Sequence, residues 1–576
     1  MKEKKVAVRM VKKALMALIL SCAGHGAGVA LAGTGTVTGT GGKPQSSGKE
    51  VRIVNPYAQV DWAKVEFLHS FSHQHGRDPQ VFWDMGFRHL PFSNYYPSRP
   101  VYPLPEVFVK AHPDTIGAPN AEQHSTIDSG IHFNAMGSYY TTGYGKTPRI
   151  NADVAPIEHV FSDLNVFDAQ KSPWLGIYRL DLSIAHKSGT DKEVAVKLTI
   201  QGASQVNHKT FTPVGDGAVR ERLLTAKSLE TLYLKTESNS VRVRLDFDPA
   251  STCITRFRLM QEVNRPWQDA FRAALDGVRK DSDGRPIEGL LFPDGGGITI
   301  NHPRNSVESL AEMLDFDPRV LGIEVWNMYY AVHDHAGFGG TKDGPGMEFY
   351  RRWDGILRTG RRCFGFFVKD HTSDGQGRNV LLVPPSAGLA RDKRERNALR
   401  AYREGCFFGL LGAMAVDKAG SVVAPYDYSQ FRFARIAVRE TDGGEPVGVE
   451  VAVTGADRTQ RPNTQIRFIT DAGVAHIANG DQAYFAFPRS ATGSVLCRYV
   501  RVEAFAYPNT NLGGRPLPAA ALSKMNVHEI SCLHELSPSA VGPADQAPIP
   551  VVDMIFSQPI LVLTKNRFPP STASVN

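Results

Sequence analysis

Histidine is crowded into two short stretches of this chain, and no other feature constrains its folding as strongly. Of 18 histidines, seven lie between His69 and His132 and four between His302 and His371; the segments between and after these clusters hold three each. The spacings suit metal ligation: His73-Gln74-His75, Glu122 shortly before His132, Asn301-His302-Pro303, and Asp370-His371. Imidazole and carboxylate are donors that Zn, Mn and Fe ions accept. Two clusters so far apart imply one site assembled from both halves of an interrupted domain.

A chain of 576 residues is too long for a single core, and 42% hydrophobic content supplies material for several. Residues 1–32 read as an export signal. Lys2, Lys4, Lys5, Arg9, Lys12 and Lys13 precede a short apolar run, and Ala30-Leu31-Ala32 fits a small-x-small cleavage rule. Lipidation at Cys22, after Ile19-Leu20-Ser21, is the alternative. The expected location is periplasmic or extracellular, with no transmembrane helix. Residues 1–32 hold six Lys/Arg and one Glu, so cleavage removes five of the seven formal positive charges. The remaining chain is nearly neutral and gives no reason to expect nucleic acid. Cys253, Cys363, Cys406, Cys497 and Cys532 are scattered and form no Cys-rich metal motif, so any metal must be held by His and carboxylate.

The texture along the chain suggests a flexible Gly/Thr/Ser linker at 33–50, then strand–helix alternation over 51–150. A β-sandwich is expected at 151–262, where YRLDLSIA, VAVKLTIQ and SVRVRLDF alternate apolar and polar residues. Helix–strand alternation returns over 263–405. Strands are expected at 298–300, 321–326 and 363–368, and helices at 306–313, 347–359 and 391–403. Residues 406–576 read as a β-rich C-terminal domain. The chemistry-bearing residues fall where strands end, the position that supplies catalytic groups in α/β barrels. In His73-x-His75, alternation puts both imidazoles on one side. Asp370-His371 ends a buried-type strand, where ionisable groups are costly unless used.

In order and spacing, these motifs resemble those of the polymerase and histidinol phosphatase (PHP) family of metal-dependent phosphoesterases, over about residues 60–135 and 285–375. His73 and His75 match the family's first-strand HxH. Glu122 and His132 match its metal-bridging glutamate and the histidine that follows. His302-Pro303 matches a strand-end His-Pro, Gly322-Ile323-Glu324-Val325-Trp326-Asn327 a GIEVYN strand, and Asp370-His371 the closing Asp-x-His. Asn94 and Tyr95 stand where the family has an acid and a histidine, and both are poorer ligands.

The resemblance implies an α/β fold: a distorted (β/α)7 barrel, here interrupted by the β-sandwich and followed by the β-rich region. It implies one to three divalent ions (Zn, Mn or Fe) on His73, His75, Glu122, His132, His302, Asp370 and His371, with Asp370 and His371 as the catalytic pair. The expected substrate is a small-molecule or glycan-linked phosphoester. The alternative is a secreted, non-catalytic binding protein, for example for polysaccharide. Glu324 is expected to orient a ligand and His69 to be structural. Roles for His124, His333, His335, Arg77, Lys369 and the aromatic tract Tyr95–Pro103 stay open.

Overall fold

The strands expected from the alternation form, but they build separate sheets and not a barrel. The chain is strand-rich, 44% strand against 18% helix, and among the described residues no sheet closes on itself. The expectation of a helix-flanked (β/α)7 barrel is therefore overturned. The reason is pairing. A βα barrel needs parallel neighbours joined by helices, whereas Asn120–Thr126 and Ile131–Met136 pair antiparallel, as do Ile131–Met136 and Gly297–Asn301. The computed structural model describes residues 51–564 apart from 77, 96–101, 127–130, 138–144, 147, 163, 165, 170–175, 189–193, 208–211, 215–219, 226–228, 262–266, 276–277, 281–285, 289–294, 335–336, 340–346, 372–376, 413–429, 512–513, 532 and 534–551. The expected signal and linker segments, with Cys22, lie outside the described residues.

Two sheets position the site. The first has six strands in the order Phe364–Val368, Val320–Asn327, Gly297–Asn301, Ile131–Met136, Asn120–Thr126 and Ser93–Tyr95. Alternation gives it two unlike faces. Ile131, Phe133, Ala135, Ile298, Ile300, Ile323 and Val325 point into the main core. The intervening Asn134, Thr299, Asn301 and Glu324 are also buried, so the opposite face is both polar and enclosed. The apolar face is covered by two helices. Val307–Asp315 is capped by the Ser306 hydroxyl, which accepts from Ser309 N, and buries Leu310, Ala311, Met313 and Leu314. Glu348–Arg358 buries Phe349, Tyr350, Trp353, Ile356 and Leu357, the i, i+3, i+4 spacing of a helix with one apolar stripe.

The second sheet has eleven strands and draws on distant parts of the chain. Its path runs Val51–Val54, Ile560–Thr564, Tyr499–Tyr507, Asp553–Ser557, Phe407–Leu411, Arg378–Val383, Glu66–Ser70, His89–Leu90 and Ile116–Gly117, with Asn463–Thr470 added beside Tyr499–Tyr507 and Gly473–Asn479 beside Asn463–Thr470. Glu66–Ser70 leads directly to His73. The two sheets meet where Gln74 bridges Asp370: His75 N donates to Asp370 O at 3.0 Å, and Asp370 N donates to His73 O at 3.1 Å.

Away from the site, a five-stranded and a four-stranded antiparallel sheet built from residues 145–261 share one apolar core that includes Leu180, Leu182, Val196, Leu198, Val243 and Leu259. Cys253, Cys363, Cys406 and Cys497 are free thiols. Among the described residues, no helix is long and apolar enough to cross a membrane.

One ion-pair network fastens the Glu348–Arg358 helix to the eleven-stranded sheet. Arg501 is fully buried; its Nη2 donates to Asp354 Oδ1 at 2.8 Å and its Nη1 to Glu503 Oε1 at 2.6 Å, and its guanidinium lies 4.6 Å from the Trp353 ring. Tyr350 also donates to Glu503. Removing one partner of such a network strands the other charges without solvent. Arg501→Met is expected to lower unfolding free energy by about 3–5 kcal/mol, read by chemical denaturation. A loss below about 1 kcal/mol would show that the network contributes no more than a surface pair.

Candidate metal centre

All seven expected ligands converge. His73 and His75 follow Glu66–Ser70, with Gln74 between them turned away and buried. Glu122 lies within Asn120–Thr126, opposite Asn134 on the neighbouring strand. His132 sits on Ile131–Met136, opposite Asn301. His302 follows Gly297–Asn301, and Asp370 and His371 follow Phe364–Val368. Among the described residues, His302 (φ 25°) and Asp370 (φ 56°) are the two non-glycine residues with positive φ. Such conformations persist where the surroundings over-determine them and cluster at functional sites.

The donor atoms face one another at short range. Glu122 Oε2 lies 3.0 Å from His75 Nε2 and 3.4 Å from His73 Nε2. Its other oxygen, Oε1, lies 3.4 Å from His132 Nδ1 and 3.6 Å from His302 Nε2. Asp370 Oδ1 is 3.5 Å from His73 Nε2, 3.7 Å from His75 Nε2 and 3.3 Å from His371 Nε2. His73 Nε2 and His75 Nε2 are 2.9 Å apart. Two atoms that each lie 2.1 Å from a tetrahedral ion are separated by about 3.4 Å, so these spacings fit ligands arranged around common points. Four overlapping triads, His73–His302–Asp370, His73–His75–Glu122, His75–Asp370–His371 and Glu122–His132–His302, are clusters that could hold a metal ion.

Charge makes the same demand. Glu122, Glu324 and Asp370 are buried, and the ion-pair partners that the described residues supply to them are all histidines. Burial alone would lower the pKa of His73, but Glu122, Asp370 and Glu324 outweigh it and hold the imidazole well above the ordinary value. His302 is raised in the same way: burial lowers it, and Glu122, Glu324 and Asp370 prevail. His371 goes the other way, to about 4, through burial and the neighbouring His75 and His73. Three enclosed carboxylates thus require positive charge, which protons or metal cations can provide.

Surrounding groups fix the donors. Glu324 Oε1 is 2.6 Å from His73 Nδ1, and Glu324 Oε2 accepts from His302 N at 2.6 Å. Glu324 thereby holds the Nδ1 edge of His73, and the Nε2 edge faces the cluster, where loss of its proton would free a lone pair for a metal. Asn327 Nδ2 donates to Glu324 Oε2 (3.1 Å) and Asp370 Oδ2 (3.2 Å). Asn301 Nδ2 donates to Glu122 Oε1 (2.9 Å) and Asn134 Oδ1 (2.6 Å), and Asn134 donates on to Asn120 (3.1 Å). This asparagine ladder escaped the sequence reading. Its signal was present as polar residues at every second position of otherwise apolar strands.

Other expected residues fall elsewhere. His69 is outside the centre, its ring held by Arg378 at 3.1 Å. Lys369 is buried, 5.3 Å from the Phe87 ring. Tyr102, from the aromatic tract, donates to Glu395. Asn94 and Tyr95 form a strand with Tyr95 opposite Glu122 in register. Their side chains, those of His124 and His333, and the whole of Arg77 and His335 lie outside the described residues. No protein-family model matches this chain, and no curated protein sequence matches it.

Two outcomes follow. Glu324→Gln exchanges the carboxylate that orients His73 for an amide, so metal affinity is expected to fall about 10–100-fold, measured by competition with a chromophoric chelator; unchanged affinity would remove Glu324 from the centre. The second concerns buried histidines outside it. Burial pushes His89 down to about 3, and burial with Arg378, Arg88 and Arg432 does the same to His69. Both stay neutral when folded, while the unfolded chain takes up protons below about pH 6.5. Their contribution is complete above that pH and is lost as pH falls toward about 3, at up to about 1.4 kcal/mol per unit for each. Denaturation curves at pH 7 and 5 are expected to show a smaller loss for His69→Gln than for the parent protein; equal losses would show that His69 takes up its proton in the folded state.

Proposed function

We propose that this protein is a metal-dependent hydrolase of phosphoesters. The observation that carries the reading is Glu122: its two oxygens face different imidazole pairs, His73 with His75 and His132 with His302. One carboxylate shared between two donor sets is the arrangement expected of a bridged two-ion centre. Asp370 and His371 extend the first set. The donors, all imidazole and carboxylate, suit Zn, Mn or Fe.

Divalent ions held there would make hydroxide available from water near neutral pH and offset charge on phosphoryl oxygens. In hydrolysis, the water oxygen bonds to phosphorus, the bond from phosphorus to the leaving oxygen breaks, and that oxygen takes up a proton. Solvent would supply that proton near neutral pH, where His371, lowered to about 4, is neutral and extends the donor set. His371 is the most exposed of the seven side chains, at 41%, and its ring stacks on His75 with centroids 4.7 Å apart. Glu324, Asn301 and Asn327 hold the donors in place, which keeps reorganisation small during reaction. The motif order shared with PHP phosphoesterases supports this reading of the donor set, independently of their barrel. The basic and apolar character of residues 1–32 supports export, with the active centre in the periplasm or outside the cell.

Elemental analysis of unchelated protein beside a His73→Ala/His302→Ala variant tests the reading. The expected result is near-stoichiometric Zn, Mn or Fe, lost in the variant, with p-nitrophenyl phosphate hydrolysis that stops on chelation and returns with metal. Absence of metal from both proteins after each ion has been offered would sink it.

A further inference from the structure

Two residues beyond the candidate ligand His302 lies an arginine that meets no carboxylate among the described residues. Arg304 lies just beyond His302-Pro303 and is exposed. Its Nη2 donates to the Tyr330 hydroxyl at 3.0 Å, and its guanidinium carbon is 5.9 Å from the Tyr330 ring centroid. Tyr330 belongs to the helix Met328–Asp334, which directly follows the strand bearing Glu324. Its ring lies 6.1 Å from that of His302, and the adjacent Tyr329 ring lies 5.4 Å from that of His371. The first turn of this helix therefore sets two phenol rings against two candidate ligands.

The segment carrying Arg304 is held in place. Arg352, on the Glu348–Arg358 helix, donates from Nε to Asn305 O at 2.8 Å and from Nη2 to Arg304 O at 3.2 Å. Arg352 is itself paired with Glu348 at 3.0 Å. Arg304 differs from it in that its charge meets no carboxylate among the described residues. A guanidinium offers five donors, and Tyr330 takes one. The Tyr330 oxygen accepts from Arg304, and among the described residues its own hydrogen has no acceptor, so it can serve an incoming one.

A cation two residues beyond a candidate metal ligand is suited to bind an anion held at that centre. Arginine is also the side chain whose planar fork matches phosphate in a bidentate manner. We infer that Arg304 and Tyr330 form the recognition pair for the terminal phosphate of the substrate, which makes a phosphate monoester the preferred class. This rests on the hydrolase reading and extends it from chemistry to specificity. Arg304 would engage peripheral phosphoryl oxygens by charge-assisted bonds and Tyr330 would donate one neutral bond, with both acting mainly on binding.

The test uses metal-loaded full-length protein and the variants Arg304→Met, Arg304→Lys and Tyr330→Phe. The readouts are kcat and KM for p-nitrophenyl phosphate, the inhibition constant of inorganic phosphate, and metal content. Arg304→Met is expected to raise KM and the phosphate inhibition constant by about 10–100-fold, the worth of one or two charge-assisted hydrogen bonds, with unchanged metal content and a smaller change in kcat. Arg304→Lys should recover part of the loss, and Tyr330→Phe should cost about 3–10-fold. Phosphate inhibition equal in parent and Arg304→Met proteins would overturn the inference while leaving the hydrolase standing. A metal-loaded parent protein that neither cleaves the ester nor is inhibited by phosphate would overturn both.

Discussion

The structure around the candidate centre depends on three carboxylates enclosed with no lysine or arginine ion pair among the described residues. Glu122, Glu324 and Asp370 approach from different strands, and imidazoles answer each of them. Buried charge on this scale is tolerated only when it is paired and hydrogen-bonded. The asparagines meet the second condition: Asn301 and Asn327 spend their amide hydrogens on the carboxylate oxygens that do not already face a ring nitrogen at closest range. The polar face of the six-stranded sheet is thus one connected network, and a change at any member is felt at the donors.

The network also explains the positions of the unusual backbone. His302 and Asp370 adopt positive φ where strands end, one beside Glu324 and the other at the join between the two sheets. Asp tolerates this region better than most residues, whereas histidine is held there by the hydrogen bond from its own N–H to Glu324. Each end carries a donor that has to turn toward the neighbouring sheet. The strain and the liganding geometry therefore share a cause.

Much of the site was legible in the sequence because ligand chemistry uses few residue types at short spacings. His73-x-His75, Glu122, His302-Pro303 and Asp370-His371 could be read without knowing how the strands pair. The helices Val307–Asp315 and Glu348–Arg358 were legible from their apolar stripes. The fold class was misread because the barrel was taken from the motifs' resemblance to the PHP family; over 263–405 the strands Gly297–Asn301, Val320–Asn327 and Phe364–Val368 pair in parallel, as the alternation suggested. The antiparallel insertion of Ile131–Met136 between Asn120–Thr126 and Gly297–Asn301 is a long-range pairing that local pattern does not encode. The asparagine ladder was missed for a related reason: Asn134 and Asn301 acquire roles only once those strands lie side by side. Arg304 and Tyr330 resemble ordinary surface residues until the helix after Asn327 sets one against the other.

The strand Asp553–Ser557 fills the slot between Phe407–Leu411 and Tyr499–Tyr507, pairing with both. Until it arrives, two strands present open edges whose N–H and C=O groups are ready to join a strand from another molecule. The nascent chain is therefore vulnerable to intermolecular pairing from the emergence of Phe407–Leu411 until the slot closes.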